Sequence, residues 1–463
     1  MPFPPPKPHV FCPRLFLIAP AICVCLWASV ASGQIGDVPE LRRFLDQKDS
    51  KPSGAGTIAA GGVPITIVKP VGEGSTPRGP LTTGSTILGN RPTYFYANPG
   101  PWGKLKCFYI YIEAPMSMVD DYPLPFSKPR WSFPMSEAPK LPALFKEAGL
   151  PELFSSVLLE PLNTTTNNGM LNLFPPLADL EAMTPKMREI IYPELAKYPN
   201  NDYHTDPVLI TTDTVDEWFR TSKLRPELVG KIKQMAYHRG TALAFSDLGA
   251  MMNYAATDSE ARQIFKAFTR TRSLMVQMEL SEETNLPELL NYWTIGIGLR
   301  RKDIEPILQS IIDTDGVERL GLSHVLPALA RKLLYTYPGE ELSRHGVLPD
   351  CHWTSLNFFN YEPHEYLLDS RLATSAVLEK FNPVEPPYKY GDILFFLDVD
   401  KGDAFHSCVY LADDMVFTKN GRNALSPWVI MKIPEVKKIY IYNRNGKVQG
   451  YRHKAATGEA SNQ

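Results

Sequence analysis

Forty-three of the 463 residues are proline. Proline fixes φ and removes a backbone donor, so a chain this rich in it favours long ordered loops and extended connections over a compact all-helical body. The length exceeds one typical domain and is ample for a real core, so two or three domains are expected. A formal net charge of −2 gives no electrostatic ground for nucleic acid or an anionic membrane surface as partner.

The N-terminus sets the expected compartment. Lys7 and Arg14 precede the apolar run "LFLIAPAICVCLWASVA", and "ASGQ" supplies small residues for cleavage. Residues 1–33 therefore read as a secretory signal peptide, which predicts an exported, periplasmic or extracellular protein with no membrane span after signal removal. Cys12, Cys23 and Cys25 would leave with the signal. Cys107, Cys351 and Cys408 remain, an odd number, so at least one thiol is unpaired in an oxidising compartment.

Composition and periodicity divide the rest. Residues 34–92 are rich in Gly, Pro and Ser and read as a linker or arm. Residues 93–225 read as a proline-rich α/β mixture that opens with two strands in "TYFYANPGPWGKLKCFYIYIEA". Residues 226–318 show helical spacing, with "DSEARQIFKAFTRTRSLMVQMEL" taken whole as helix. A last folded region is expected at 319–446 and a polar tail at 447–463. In that region "PDCHWTSLNFF" (349–359) places Cys351 at a helix start. The strands "ILFFLDV", "FHSCVYLA" and "KKIYIYN" follow. The expected class is α+β: a cysteine on a helix, an antiparallel sheet bearing a histidine, and, ahead of both, a mainly helical region and a small β-containing one.

That order suits a nucleophilic thiol. A helix N-terminus and a nearby imidazole both favour thiolate, and the imidazole needs a polar acceptor on its second nitrogen. His406, 55 residues after Cys351, is the candidate base. Alternation on its strand puts His406, Cys408 and Tyr410 on one face. The orienting residue is expected on the following strand, "MVFTKNG", with Asn420 preferred and Thr418 second. His352, next to Cys351 on the helix start, is expected to point away from it.

The stretch from about 320 to 445 resembles the NlpC-type cell-wall cysteine peptidases, a papain-like α+β family. Asp350-Cys351 matches part of the family's Asp-Cys-Ser-Gly opening, "GDILFF" (391–396) its Gly-Asp strand, and "HSCVYL" (406–411) its histidine strand. The helix in "LSHVLPALARKLLYT" fits the order of elements. His352-Trp353 replaces the small Ser-Gly pair, which implies a bulkier pocket wall, and the third-strand histidine often seen in the family is missing from 416–421. The resemblance implies cleavage of an amide bond in peptidoglycan stem peptides or a related cell-envelope substrate, with Cys351, His406 and Asn420 as the triad and no cofactor.

Two other readings compete. A zinc site assembled from His345, Cys351, His352, His364 and His406 lacks any metal-ligand spacing, so no metal is expected. The alternative to an enzyme is a secreted binding or structural protein that keeps this fold without turnover. Cys408 is expected either to pack or to pair with Cys107.

Overall fold

The computed structural model describes residues 93–456 apart from 126, 296, 298–300, 340, 341, 343–345, 442 and 443. The expected signal peptide and arm lie outside the described residues, as does His345. The described chain is mixed α+β, built on four antiparallel sheets.

The first sheet has the order β1 (Phe95–Tyr96), β2 (Lys104–Ile112), β9 (Thr271–Glu279), β10 (Arg319–Gly321). Two small sheets follow: β3 (Trp131–Pro134), β5 (Met170–Leu173), β4 (Thr164–Asn167), and β6 (Val208–Ile210), β8 (Ala242–Phe245), β7 (Tyr237–Arg239). The C-terminal sheet has six strands in the order β11 (Phe381–Val384), β16 (Gly446–His453), β12 (Ile393–Asp398), β13 (Ala404–Ala412), β14 (Met415–Lys419), β15 (Trp428–Lys432).

Three expectations fail, each for a legible reason. The long helix expected over 258–280 stops at Phe268, and Thr271–Glu279 is a strand. Leu274, Val276 and Met278 are buried alternately, a period of two that a helical count over the whole segment had absorbed. "KKIYIYN" lies largely in the helix Ile433–Tyr440, which has Pro434 in its first turn and buries Val436 and Tyr440 one turn apart. The strand it was to supply is β16, in what was expected to be a polar tail. β16 pairs with both β11 and β12, so its polar residues sit inside a sheet.

β2 and β9 pair along nine residues, from Lys104 opposite Glu279 to Ile112 opposite Thr271. Their buried side chains join one core with Trp293, Trp353, Val409, Phe417 and Trp428. The boundary expected at 318/319 therefore runs through a shared core. Ser273 of β9 also bridges to β15, donating to the Ile430 carbonyl and accepting from its N–H at 3.1 Å each. The described residues from Phe95 onward fall within one compact unit.

The six-stranded sheet carries two cores. On one face lie Val409, Leu411, Phe417 and Ile430 with the helix Cys351–Leu356. On the other, Leu394, Phe396, Cys408, Val416 and Met431 pack under Val436 and Tyr440.

The "GD" of "GDILFF" has a structural task. Gly391 has φ +87°, and an added Cβ would fall 2.3 Å from the Phe359 ring, so only glycine fits. Asp392, 1% exposed, takes Arg452 of β16 in a two-pronged pair at 2.6 and 2.7 Å and accepts the Lys389 N–H at 2.7 Å.

Candidate active site

The helix carrying the cysteine is short and held at every turn. Asp350 is its N-cap: one carboxylate oxygen accepts the Trp353 N–H at 2.9 Å, and the other takes Arg422 at 2.6 Å. Trp353 does not widen the pocket wall. It is buried in the core, its ring 6.4 Å from that of Trp428, whose Nε1 donates to Thr354 at 2.9 Å. Ser407 of β13 donates to the Cys351 carbonyl at 3.2 Å. With Asp350 tied to the loop after β14 and Cys351 tied to β13, the thiol lies over the end of that strand pair.

The structure brings His406 to this thiol. Its Nε2 meets Thr418 Oγ1 at 3.2 Å, and its ring stacks parallel to Tyr440 at 3.9 Å. Nδ1 is buried and has no full hydrogen bond among the described residues. The imidazole nevertheless acts on the Cys351 thiol, so that contact falls short of full hydrogen-bond geometry. Catalytic hydrogen bonds in unliganded sites are often loose in this way.

Thr418, not Asn420, orients the imidazole. A continued ladder would set Asn420 opposite His406, but the pairing ends at Val409 and Phe417, and the chain turns at Gly421 with φ +71°. Asn420 instead accepts from the Tyr440 hydroxyl at 3.4 Å and reaches Met431 sulfur at 3.3 Å. It acts on His406 only through the stacked Tyr440 ring.

His352 does not point away. Successive residues on a helix diverge, but Ser407 draws this imidazole back across the helix start: Nδ1 lies 3.0 Å from Ser407 Oγ, and the ring lies flat against Phe395 at 5.8 Å. Cys351 is thus flanked by two imidazoles. Burial alone would push the thiol up, but His352 and then His406 hold it down at about 5. For His352 burial works the other way and the sulfur's charge prevails, aided by Asp350 and the Ala404 carbonyl, raising it to about 9.

Sequence reasoning also missed Lys419. It is fully buried, and its ammonium donates to the Gly421 and Asn423 carbonyls at 2.8 Å each, which fixes the loop that carries Arg422. Burial pushes it down to about 7, against the pull of Asp350 and Cys351. A lysine on the core-facing register of an otherwise apolar strand was the available signal.

The remaining candidates lie elsewhere. Cys107 and Cys408 are free and buried in different cores, so each packs alone. His364 lines a cavity of about 310 Å³ together with Leu356, at the far end of the cysteine helix, and Phe381. Among the described residues no group of three His, Cys, Asp or Glu side chains is placed to hold a metal ion. No described helix is long and apolar enough to cross a membrane. Comparison with protein-family models, with curated proteins and with solved structures finds no match.

Proposed function

We propose that this protein is an exported cysteine hydrolase of papain-like, NlpC-type architecture that cleaves an amide bond in peptidoglycan stem peptides or related cell-envelope peptides. The observation that carries this reading is the placement of Cys351 at a helix start between two imidazoles, His352 held by Ser407 and His406 by Thr418, which together favour the thiolate. The architecture is supported by that helix lying on an antiparallel sheet, with His406 near the start of its strand and Thr418 on the next. Export rests on the N-terminal sequence, and the substrate class on the motifs "GDILFF" and "HSCVYL".

In this mechanism the Cys351 thiolate adds to the amide carbonyl, and His406 gives a proton to the departing amine. Asp350 has taken the Trp353 N–H, which leaves the first amides of the helix for the developing oxyanion. Thr418 holds the His406 ring through Nε2.

The test is incubation of the protein with purified peptidoglycan and stem peptides, followed by mass spectrometry of the products, for wild type and Cys351→Ala. New amine and carboxyl ends that depend on Cys351 are expected. The reading fails if no such product forms and alkylation of the thiol titrates like that of a free cysteine, near 8.5.

The two candidate orienting residues make unequal predictions. Thr418→Val removes the hydrogen bond to His406 Nε2, worth about 1–2 kcal/mol, and should lower kcat/KM by roughly 5- to 30-fold. Asn420→Ala loosens only Tyr440 and should cost less. Steady-state kinetics of both variants decide the order, and a larger loss for Asn420→Ala would reverse the assignment.

A further inference from the structure

We propose that His352 is a second catalytic imidazole, a resident cation that holds Cys351 as thiolate while His406 alone carries the proton. This deepens the hydrolase reading and rests on it. The hydrogen inventory around each ring supports the division of labour.

Ser407 has a single hydroxyl proton. The two groups it is placed to donate to, the Cys351 carbonyl at 3.2 Å and Ser355 Oγ at 3.1 Å, both accept, so Ser407 Oγ is left to accept from His352 Nδ1 at 3.0 Å. His352 therefore carries a proton on Nδ1. Its other neighbours, the Ala404 carbonyl and the Cys351 sulfur, are acceptors as well. With a carbonyl and a thiolate as its other partners, an imidazole that already donates from Nδ1 is favoured as imidazolium.

His406 is arranged differently. Thr418 gives its hydroxyl proton to the Ser407 carbonyl at 3.4 Å and accepts from His406 Nε2. Nδ1 is left with no competing partner among the described residues. It is free to take up and release a proton, which His352 is not.

The steps balance as follows. Sγ bonds to the carbonyl carbon and the C=O pair moves to oxygen. On collapse the oxyanion pair re-forms C=O, the C–N bond breaks with its electrons staying on nitrogen, and His406 gives that nitrogen the proton it had taken from the thiol, leaving a thioester. His406 then takes a proton from water, whose oxygen adds to the thioester carbon, and the C–S bond breaks with its electrons returning to sulfur. His352 keeps its proton throughout.

The charged and titratable groups facing this pair are Asp350 on its own element, His406 and Cys408 on β13, Lys419 on β14, Arg422 through Asp350, and Tyr440 from the helix above. The test is the rate of iodoacetamide alkylation of Cys351 from acid to alkaline pH in the full-length protein. The thiol midpoint is expected near 5 in wild type. His352→Asn, whose amide can keep the contact with Ser407, should raise that midpoint by about one pH unit or more. His406→Gln should raise it less while abolishing turnover, and His352→Lys, restoring a cation, should bring it back down. An unmoved midpoint in His352→Asn with a low wild-type value overturns the role of His352 and leaves the hydrolase reading standing. A wild-type midpoint near 8.5 overturns the hydrolase reading itself.

Discussion

Cys351→Ala is expected to lower kcat by about 10⁴- to 10⁶-fold, the scale on which a nucleophile's loss is felt when its partners act as a unit. The sulfur forms and breaks every covalent bond of the proposed cycle, so binding and the helix amides would be all that remained. The substitution should leave the fold intact: it removes one small side chain, and the ties of the two imidazoles to Thr418 and Ser407 do not involve the sulfur. It should also be visible without substrate. The sulfur's charge is the main influence raising His352 to about 9, so the His352 resonance in an NMR titration should move down by more than one pH unit.

The same pair defines a pH window. The thiol is depressed on folding, so its contribution is lost as pH falls through about 5; His352 is raised, so its contribution is lost as pH rises through about 9. The ion pair exists between those limits, and the alkylation rate should be level within them and fall below the lower one. An alkylation rate that climbs steadily through pH 7 would show that no such pair exists.

The second large effect is on stability. Asp392→Ala removes the buried partner of a bidentate pair and leaves the half-buried Arg452 of β16 and the Lys389 N–H unanswered. Breaking a buried pair on one side typically costs about 3–5 kcal/mol. Urea unfolding followed by fluorescence should show that loss, while the thiol midpoint near 5 stays in place because Asp392 does not act on the sulfur. A loss below about 1 kcal/mol, ordinary for any point change, would mean that β16 is held by its ladder alone.

The motif residues thus divide into two kinds that look alike in the chain. The "GD" before β12 clamps the sheet, and "DC" before the cysteine helix caps it and presents the thiol. Local signals suffice for such features: an acid before a helix start, a glycine where a Cβ has no room, an alternating strand with a histidine near its beginning. They fail where two periodicities lie end to end, as at Phe268–Thr271, or where a strand is polar because both its neighbours are strands, as in β16.

What the sequence by itself determined is the placement of Cys351 at a helix start and of His406 near the start of a strand, because the N-cap acid and the alternation that mark them are local signals. The α+β class followed from the same local patterns. Only the tertiary structure decided the rest of the site. Thr418 displaces Asn420 because the β13–β14 ladder ends before residue 420, and ladder length depends on the turn beyond it. His352 joins the sulfur because Ser407, 55 residues away, supplies the acceptor that turns its ring. Lys419 is buried because two loop carbonyls close over it. Each outcome depends on a partner distant in the chain or on a loop closed by the fold, and neither is written into local spacing.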